Sequence, residues 1–242
     1  MLENYNGKYA YRGDIVTTYE IDRIRDGFWY KENRILKKLL KKYVPASILD
    51  LPVGTGRFFN IYKKFDFIKT VVGIDISKDM LSYSRQKAIN MHLENKITLK
   101  IGDAELLNIA PVECIVCFRL AHLLPNDVLS NVIANLAKTT TKYILFQIYD
   151  VILDYEKIIK NTGSIFYKII NKINKKIINK FKNKIIKSCN KTPWQHIENF
   201  PHQEAALNTI FNSNHLFIKA IYNCNIHKKK NTETRIYVLE KV

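Results

Sequence analysis

The segment 47–58, SILDLPVGTGRF, constrains the fold of this chain more than any other part of the sequence. It predicts a short apolar strand, a turn that contains Gly54 and Gly56, and the start of a helix. Glycines in such a turn allow positive φ and a close approach of a ligand to the backbone, and the helix start presents free N–H groups. By itself, a G-x-G turn fits a dinucleotide site or a plain turn.

Apolar runs of strand length alternate with helical stretches between residues 45 and 150. The predicted strands are 47–51, 70–76, 96–101, 112–118 and 143–149, and the predicted helices between them are 55–65, 77–91 and 125–137. This alternation predicts an α/β fold with a Rossmann-like, doubly wound, mostly parallel seven-stranded sheet. Further strands at 216–222 and 235–240 complete the sheet, and the last strand is expected to be antiparallel.

Composition divides the chain into four predicted parts. Residues 1–44 form a helical lead-in rich in aromatics, and residues 45–150 form the core. Residues 151–201 form a basic amphipathic helical insertion after strand 5, and within it residues 157–191 contain eleven lysines and no acidic residue. Residues 202–242 add a helix and the last two strands.

Acidic residues close three consecutive predicted strands, namely Asp50, Asp75 and Asp103. A carboxylate at Asp50 would repel the pyrophosphate of a dinucleotide, and Phe59 replaces the third glycine of the dinucleotide fingerprint. S-adenosyl-L-methionine carries an ammonium and a sulfonium instead, which a carboxylate attracts. Asp75 is placed to accept hydrogen bonds from ribose hydroxyls, and Asp103 from the adenine amino group. The three strand ends therefore predict S-adenosyl-L-methionine as the cofactor.

With the motifs DLPVGTGRF, VVGIDISKDML and GDAELL, the chain resembles the class I S-adenosylmethionine-dependent methyltransferase family over roughly residues 45–150. The fragment FRLAHLLPNDVLSNVIANLAK is similar to the family's fourth-strand segment and next helix. The resemblance implies methyl transfer and a set of cofactor contacts. The methionine end would contact Asp50, Gly54 and Gly56, the ribose and adenine would contact Asp75, Ile76 and Met80, and the adenine would also contact Asp103 and Ala104. The sulfonium would lie beside Phe118 and Arg119, the cofactor would be covered by Tyr11, Arg12 and Tyr19, and Leu51, Pro52 and Gly102 would lie beside these residues.

Methyl transfer is an in-line displacement, so the enzyme mainly aligns the acceptor with the methyl group. A general base helps when the acceptor is a hydroxyl. His122, just after the fourth predicted strand, is the candidate base, and a loop histidine that merely packs is the alternative. Cys114 and Cys117 fall in an apolar run, so they are predicted as core residues, and no metal is expected.

The net charge of +17 suggests an anionic partner, but the lysine, isoleucine and asparagine content is also typical of an AT-rich genome. The segment 157–191 is interpreted as a lid, as a surface for anionic membranes, or as a nucleic-acid site, and its lack of arginine disfavours the nucleic-acid site.

The expected acceptor is a small molecule, a lipid or a glycan. Two alternatives for the function are a relative that binds the cofactor without methylating, and a nucleic-acid methyltransferase. A cytoplasmic protein, with peripheral membrane attachment as an option, is expected; the oligomeric state stays open.

Overall fold

The computed structural model describes residues 11, 13, 16, 19, 28–152, 200–227 and 232–242. The predicted site residue Arg12 and the basic segment 157–191 lie outside these described residues. The predicted division of the chain into a lead-in, a core, an insertion and a closing segment stays a prediction.

Five α-helices and eight strands make up the described part of the chain. The helices are α1 (Phe28–Tyr43), α2 (Phe59–Tyr62), α3 (Lys78–Asn90), α4 (Asn126–Thr139) and α5 (Glu204–Ser213), with 3-10 turns at Ala104–Leu106 and Ala121–Leu123. The strands are β1 (Ser47–Asp50), β2 (Thr70–Asp75), β3 (Ile97–Ile101), β4 (Val112–Cys117), β5 (Thr140–Ile152), β6 (His202–Gln203), β7 (Leu216–His227) and β8 (Thr232–Lys241).

Seven of these strands form a continuous sheet in the order β3-β2-β1-β4-β5-β8-β7. The first five strands are parallel, and β8 runs antiparallel to both of its neighbours. The two-residue strand β6 pairs with the end of β5. The predicted Rossmann-like, mostly parallel seven-stranded sheet with an antiparallel last strand is confirmed. Strand order reverses between β1 and β4, which is where such sheets bind ligands.

Helices cover both faces of the sheet because each has one apolar stripe. In α1, Leu36, Leu39 and Leu40 are buried at helical spacing, and they join the core on the face that includes Val71 of β2. Helices α4 and α5 pack on the opposite face. Ser77 caps α3, since its Oγ accepts a hydrogen bond from Met80 N at 3.2 Å. No helix in the described ranges is long and apolar enough to cross a membrane.

The predicted helix at 55–65 is much shorter in the structure, where only Phe59–Tyr62 is helical. Gly54 and Gly56 have φ values of 53° and 72°, which no right-handed helix contains. A right-handed helix cannot start until these residues are passed. The longer connection keeps the backbone of residues 51–58 at the edge of the sheet, where β1 ends.

Candidate functional site

A pocket opens at the carboxyl ends of the parallel strands, beside the point where strand order reverses. Its lining includes twelve of the predicted cofactor residues, which are Tyr11, Tyr19, Leu51, Pro52, Asp75, Ile76, Met80, Gly102, Asp103, Ala104, Phe118 and Arg119. It also includes residues that the motifs did not single out as ligands, namely Val53, Thr55, Arg57, Phe58, Ser77, Leu120 and Leu123. Most of the latter are chain neighbours of predicted residues, so sequence proximity was their only signal. The predicted residues Asp50, Gly54 and Gly56 do not line the pocket.

Asp75 joins the end of β2 to the glycine turn. Its Oδ2 accepts a hydrogen bond from Gly54 N at 2.8 Å, and its Oδ1 accepts one from Ser77 N at 2.9 Å. Burial raises the pKa of this carboxyl, and the backbone N–H groups of Ser77 and Gly54 counteract the rise. A carboxylate can accept about four hydrogen bonds, so Asp75 can accept one from a ligand while holding the turn in place.

Asp103 occupies the corresponding place after β3. Its Oδ1 accepts a hydrogen bond from Glu105 N at 3.0 Å and caps the short 3-10 turn that follows. Asn135 of α4 holds the same turn from the other side, since its Nδ2 donates to the carbonyl of Glu105 at 2.7 Å. Asp103 and Ala104 are thereby fixed on the pocket wall next to the end of β2.

The two glycines of the turn have different neighbours. A Cβ atom at Gly56 would come within 2.5 Å of the Phe59 ring, whereas a Cβ atom at Gly54 would meet no atom within 4 Å. Both residues have positive φ. Gly56 is therefore required by backbone conformation and by packing, and Gly54 by conformation alone.

Asp50, at the end of β1, is 2% exposed. Burial raises the pKa of Asp50 to about 8, and the negative charge of Asp75 adds to the rise, while the Tyr62 hydroxyl lowers it. In the cofactor-free protein Asp50 therefore carries a proton at neutral pH. The predicted attraction between Asp50 and a cationic ligand requires loss of that proton, which a nearby positive charge favours.

Two tyrosines of the lead-in line the pocket. The rings of Tyr11 and Tyr19 pack edge to face with centroids 5.6 Å apart. The Tyr11 carbonyl accepts a hydrogen bond from Ser77 Oγ at 2.5 Å, and Gly13 N donates to Asp79 Oδ2 at 2.8 Å. Burial raises the pKa of the Tyr11 hydroxyl far above its ordinary value. Tyr11 and Gly13 are thus attached to the start of α3, beside the residues predicted to bind ribose and adenine.

A buried ionic network that the sequence motifs do not predict borders the pocket. Glu32 of α1 pairs with Arg57 and Arg119, and it accepts hydrogen bonds from Gln147 and Tyr149 of β5. The signal in the sequence is a lone carboxylate on the apolar side of α1, which is an expensive position for a charge that has no partners. Both arginines line the pocket.

His122, the predicted base, lies in the turn after β4, between the pocket-lining residues Leu120 and Leu123. Its own side chain is not part of the lining, and its ring centroid lies 4.8 Å from that of Tyr149. The His122 carbonyl accepts a hydrogen bond from Phe200 N at 2.8 Å. His122 is therefore partly exposed beside Tyr149 and outside the pocket lining, and its turn is attached to Phe200.

Three further side chains that could be reactive, those of His202, Cys114 and Cys117, are buried. His202 is buried, with Nε2 2.9 Å from the Ala121 carbonyl and Nδ1 2.8 Å from Asn126 Oδ1, and burial lowers its pKa. Cys114 and Cys117, which were predicted as core residues, are buried thiols. Burial raises the pKa of both thiols well above the ordinary value.

The core of the chain is similar to a known protein family. The model of the family described as "Methyltransferase domain" matches residues 48–142. The predicted resemblance to S-adenosylmethionine-dependent methyltransferases is confirmed over these residues. Domains of this family use S-adenosylmethionine, as the sequence resemblance implied.

Two solved methyltransferases have a fold similar to that of this chain. Magnesium protoporphyrin IX methyltransferase from Synechocystis, solved with bound S-adenosylhomocysteine, superposes with a TM-score of 0.62 at 17% identity over 95% of this chain and 97% of that one. An S-adenosylmethionine-dependent methyltransferase from Clostridium acetobutylicum gives a TM-score of 0.59 at 15% identity over 90% and 93% of the two chains. At these identities the similarity establishes the fold.

A sequence relative is the demethylmenaquinone methyltransferase of Porphyromonas gingivalis, which is 28% identical over 87 residues. The match spans 34% of this chain and 36% of that protein, so it covers about a third of the relative's length.

Proposed function

We propose that this chain is an S-adenosylmethionine-dependent methyltransferase that acts on a small-molecule acceptor. The supporting observation is the pocket beside the glycine turn, where Asp75 and Asp103 close neighbouring strands. These acceptors fit the cofactor, because a carboxylate at the end of β2 can accept from vicinal hydroxyls and one at the end of β3 can accept from an exocyclic amine. When bound, S-adenosylmethionine supplies a methyl group on a positively charged sulfur.

The side chains of the pocket would bind and orient both reactants. Asp75 would accept the ribose hydroxyls, and Ile76 and Met80 would cover the adenine. Phe118 and Leu123 provide an apolar wall that would exclude water from the reacting groups. Catalysis would then come mainly from alignment of the acceptor with the methyl group, which removes the entropic cost of their encounter from the chemical step.

Two relatives support a small-molecule acceptor. Their names describe methylation of magnesium protoporphyrin IX and of demethylmenaquinone. An acceptor presented at a membrane by residues 157–191 draws no support from the part of the chain that the structure describes.

Calorimetry tests the cofactor directly. The wild-type chain is expected to bind S-adenosylmethionine and S-adenosylhomocysteine, because both carry the adenosine that Asp75 and Asp103 would recognise. It is expected not to bind a nicotinamide dinucleotide. Binding of the dinucleotide alone would refute the proposal.

We infer that His122 accepts the proton of a hydroxyl acceptor, through a small movement of the turn that carries it. The His122→Ala variant should then show a kcat that is at least about tenfold lower, with unchanged affinity for the cofactor, since general bases contribute about 10²–10⁴-fold. Single-turnover rates on the identified acceptor provide the measurement. His92→Ala is the control, since His92 follows α3 outside the pocket. Full turnover by His122→Ala would exclude the role.

A further inference from the structure

Glu32 has no exposed surface, and four donors from three separate elements surround it. Its Oε2 pairs with Nη2 of Arg57 and lies 3.2 Å from Nη2 of Arg119. Its Oε1 accepts hydrogen bonds from Gln147 Nε2 at 2.6 Å and from the Tyr149 hydroxyl at 2.8 Å. A carboxylate remains buried only where such partners compensate for its lost hydration. Glu32 therefore joins α1 to the glycine turn, to the end of β4 and to β5.

The two arginines bring this network to the pocket surface. Arg57 follows the glycine turn, Arg119 follows β4, and both line the pocket. Arg119 has a φ of 62°, which is uncommon for a residue with a side chain. Strained backbone of this kind persists where surrounding contacts hold it, and here they include the Glu32 carboxylate and the Tyr149 ring, 5.9 Å from the guanidinium carbon.

This arrangement creates an electrostatic problem for the proposed cofactor, and the inference drawn from it rests on the proposed function. Two guanidinium groups in the pocket wall repel a sulfonium, and water exclusion strengthens the repulsion. The carboxylate of Glu32 offsets one of the two positive charges. S-adenosylmethionine and S-adenosylhomocysteine both carry an ammonium and a carboxylate, so the charge on sulfur is their main electrostatic difference.

We propose that Glu32 is a positioning residue that holds Arg57 and Arg119 in the pocket wall and offsets one of their two positive charges near the sulfonium. Its carboxylate thereby sets the preference of the pocket for S-adenosylmethionine over S-adenosylhomocysteine. A purely structural Glu32 would affect both ligands alike, since it would change the shape of one common site.

The test compares the dissociation constants of the two ligands in the full-length chain by calorimetry. Glu32→Gln keeps the size of the side chain and removes its charge. The affinity for S-adenosylmethionine should fall about tenfold more than that for S-adenosylhomocysteine, as expected for one unit charge several ångströms away in a partly shielded site. Glu240→Gln is the matched control, because Glu240 forms an exposed ion pair with Lys219 outside the pocket and should leave the ratio unchanged.

Arg119→Gln supplies a second test with the opposite sign, which holds even if Glu32→Gln does not fold. Removing a guanidinium while Glu32 remains should shift the ratio towards S-adenosylmethionine. The double variant should return the ratio towards the wild-type value. Equal losses for both ligands in Glu32→Gln, or an Arg119→Gln variant that binds neither ligand, would overturn the inference. A wild-type chain that binds neither ligand would instead refute the proposed function.

Discussion

Replacing Asp75 by asparagine is expected to weaken the binding of S-adenosylmethionine and S-adenosylhomocysteine at least about tenfold, and to destabilise the free protein by about 1–3 kcal/mol. The two carboxylate oxygens accept from different backbone groups, Gly54 N and Ser77 N. An amide has a single acceptor oxygen, so its NH2 group must face one of these N–H donors. The isosteric variant therefore loses a buried hydrogen bond as well as the charge proposed to bind ribose.

Denaturant unfolding and calorimetry on the same samples measure the two effects. Asp127→Asn is the matched control, because Asp127 is an exposed carboxylate in the first turn of α4. It should leave the affinities and the free energy of unfolding nearly unchanged. Wild-type affinity in Asp75→Asn would show that the ribose is held elsewhere.

The second large effect is on the pH dependence of stability, and it comes from Asp50. Its pKa is about 8 in the folded protein, while an unfolded aspartate titrates near about 3.9. Between these values the folded protein holds one proton more than the unfolded chain, so the free energy of unfolding falls as pH rises. The slope is about 1.4 kcal/mol per pH unit.

Asp50→Asn cannot ionise and therefore lacks this contribution. The stability difference between the wild type and the variant should change by about 2.5 kcal/mol between about pH 5 and 7, with the wild type losing stability as pH rises. Urea unfolding at several pH values gives both curves, and titrating groups that do not interact with Asp50 cancel in the difference. Parallel curves would mean that Asp50 is already ionised in the folded protein.

The sheet and its pocket edge were predictable from sequence because both follow from local signals. Apolar runs of strand length predict β1, β2 and β4, and acidic residues at strand ends mark the edge where ligands bind. Ser77 predicts the start of α3 through its capping hydroxyl. Helix and strand lengths were less predictable, since the glycine turn shortens α2, and pairing with β8 extends β5 beyond its apolar run.

The Glu32 network could not be predicted, because its members are far apart in the chain. Glu32 and Tyr149 are 117 positions apart, and only the completed sheet brings β5 beside α1. The protonation of Asp50 could not be predicted from the sequence either. An aspartate in a sequence suggests a negative charge, and only its burial in the fold raises the pKa enough to remove that charge at neutral pH.

The pairing of β5 with β6 holds the two ends of the connecting segment, residues 153–201, side by side. The chain leaves the sheet after Val151 and Ile152 and re-enters at His202 and Gln203, directly alongside. Adjacent strands are about 4.8 Å apart, so the end of β5 and the start of β6 lie close together. Doubling the length of the chain between such fixed ends costs only about 0.6 kcal/mol in closure entropy. Descendants of this chain can therefore exchange, lengthen or shorten that segment while Asp75 and its strand neighbours remain untouched.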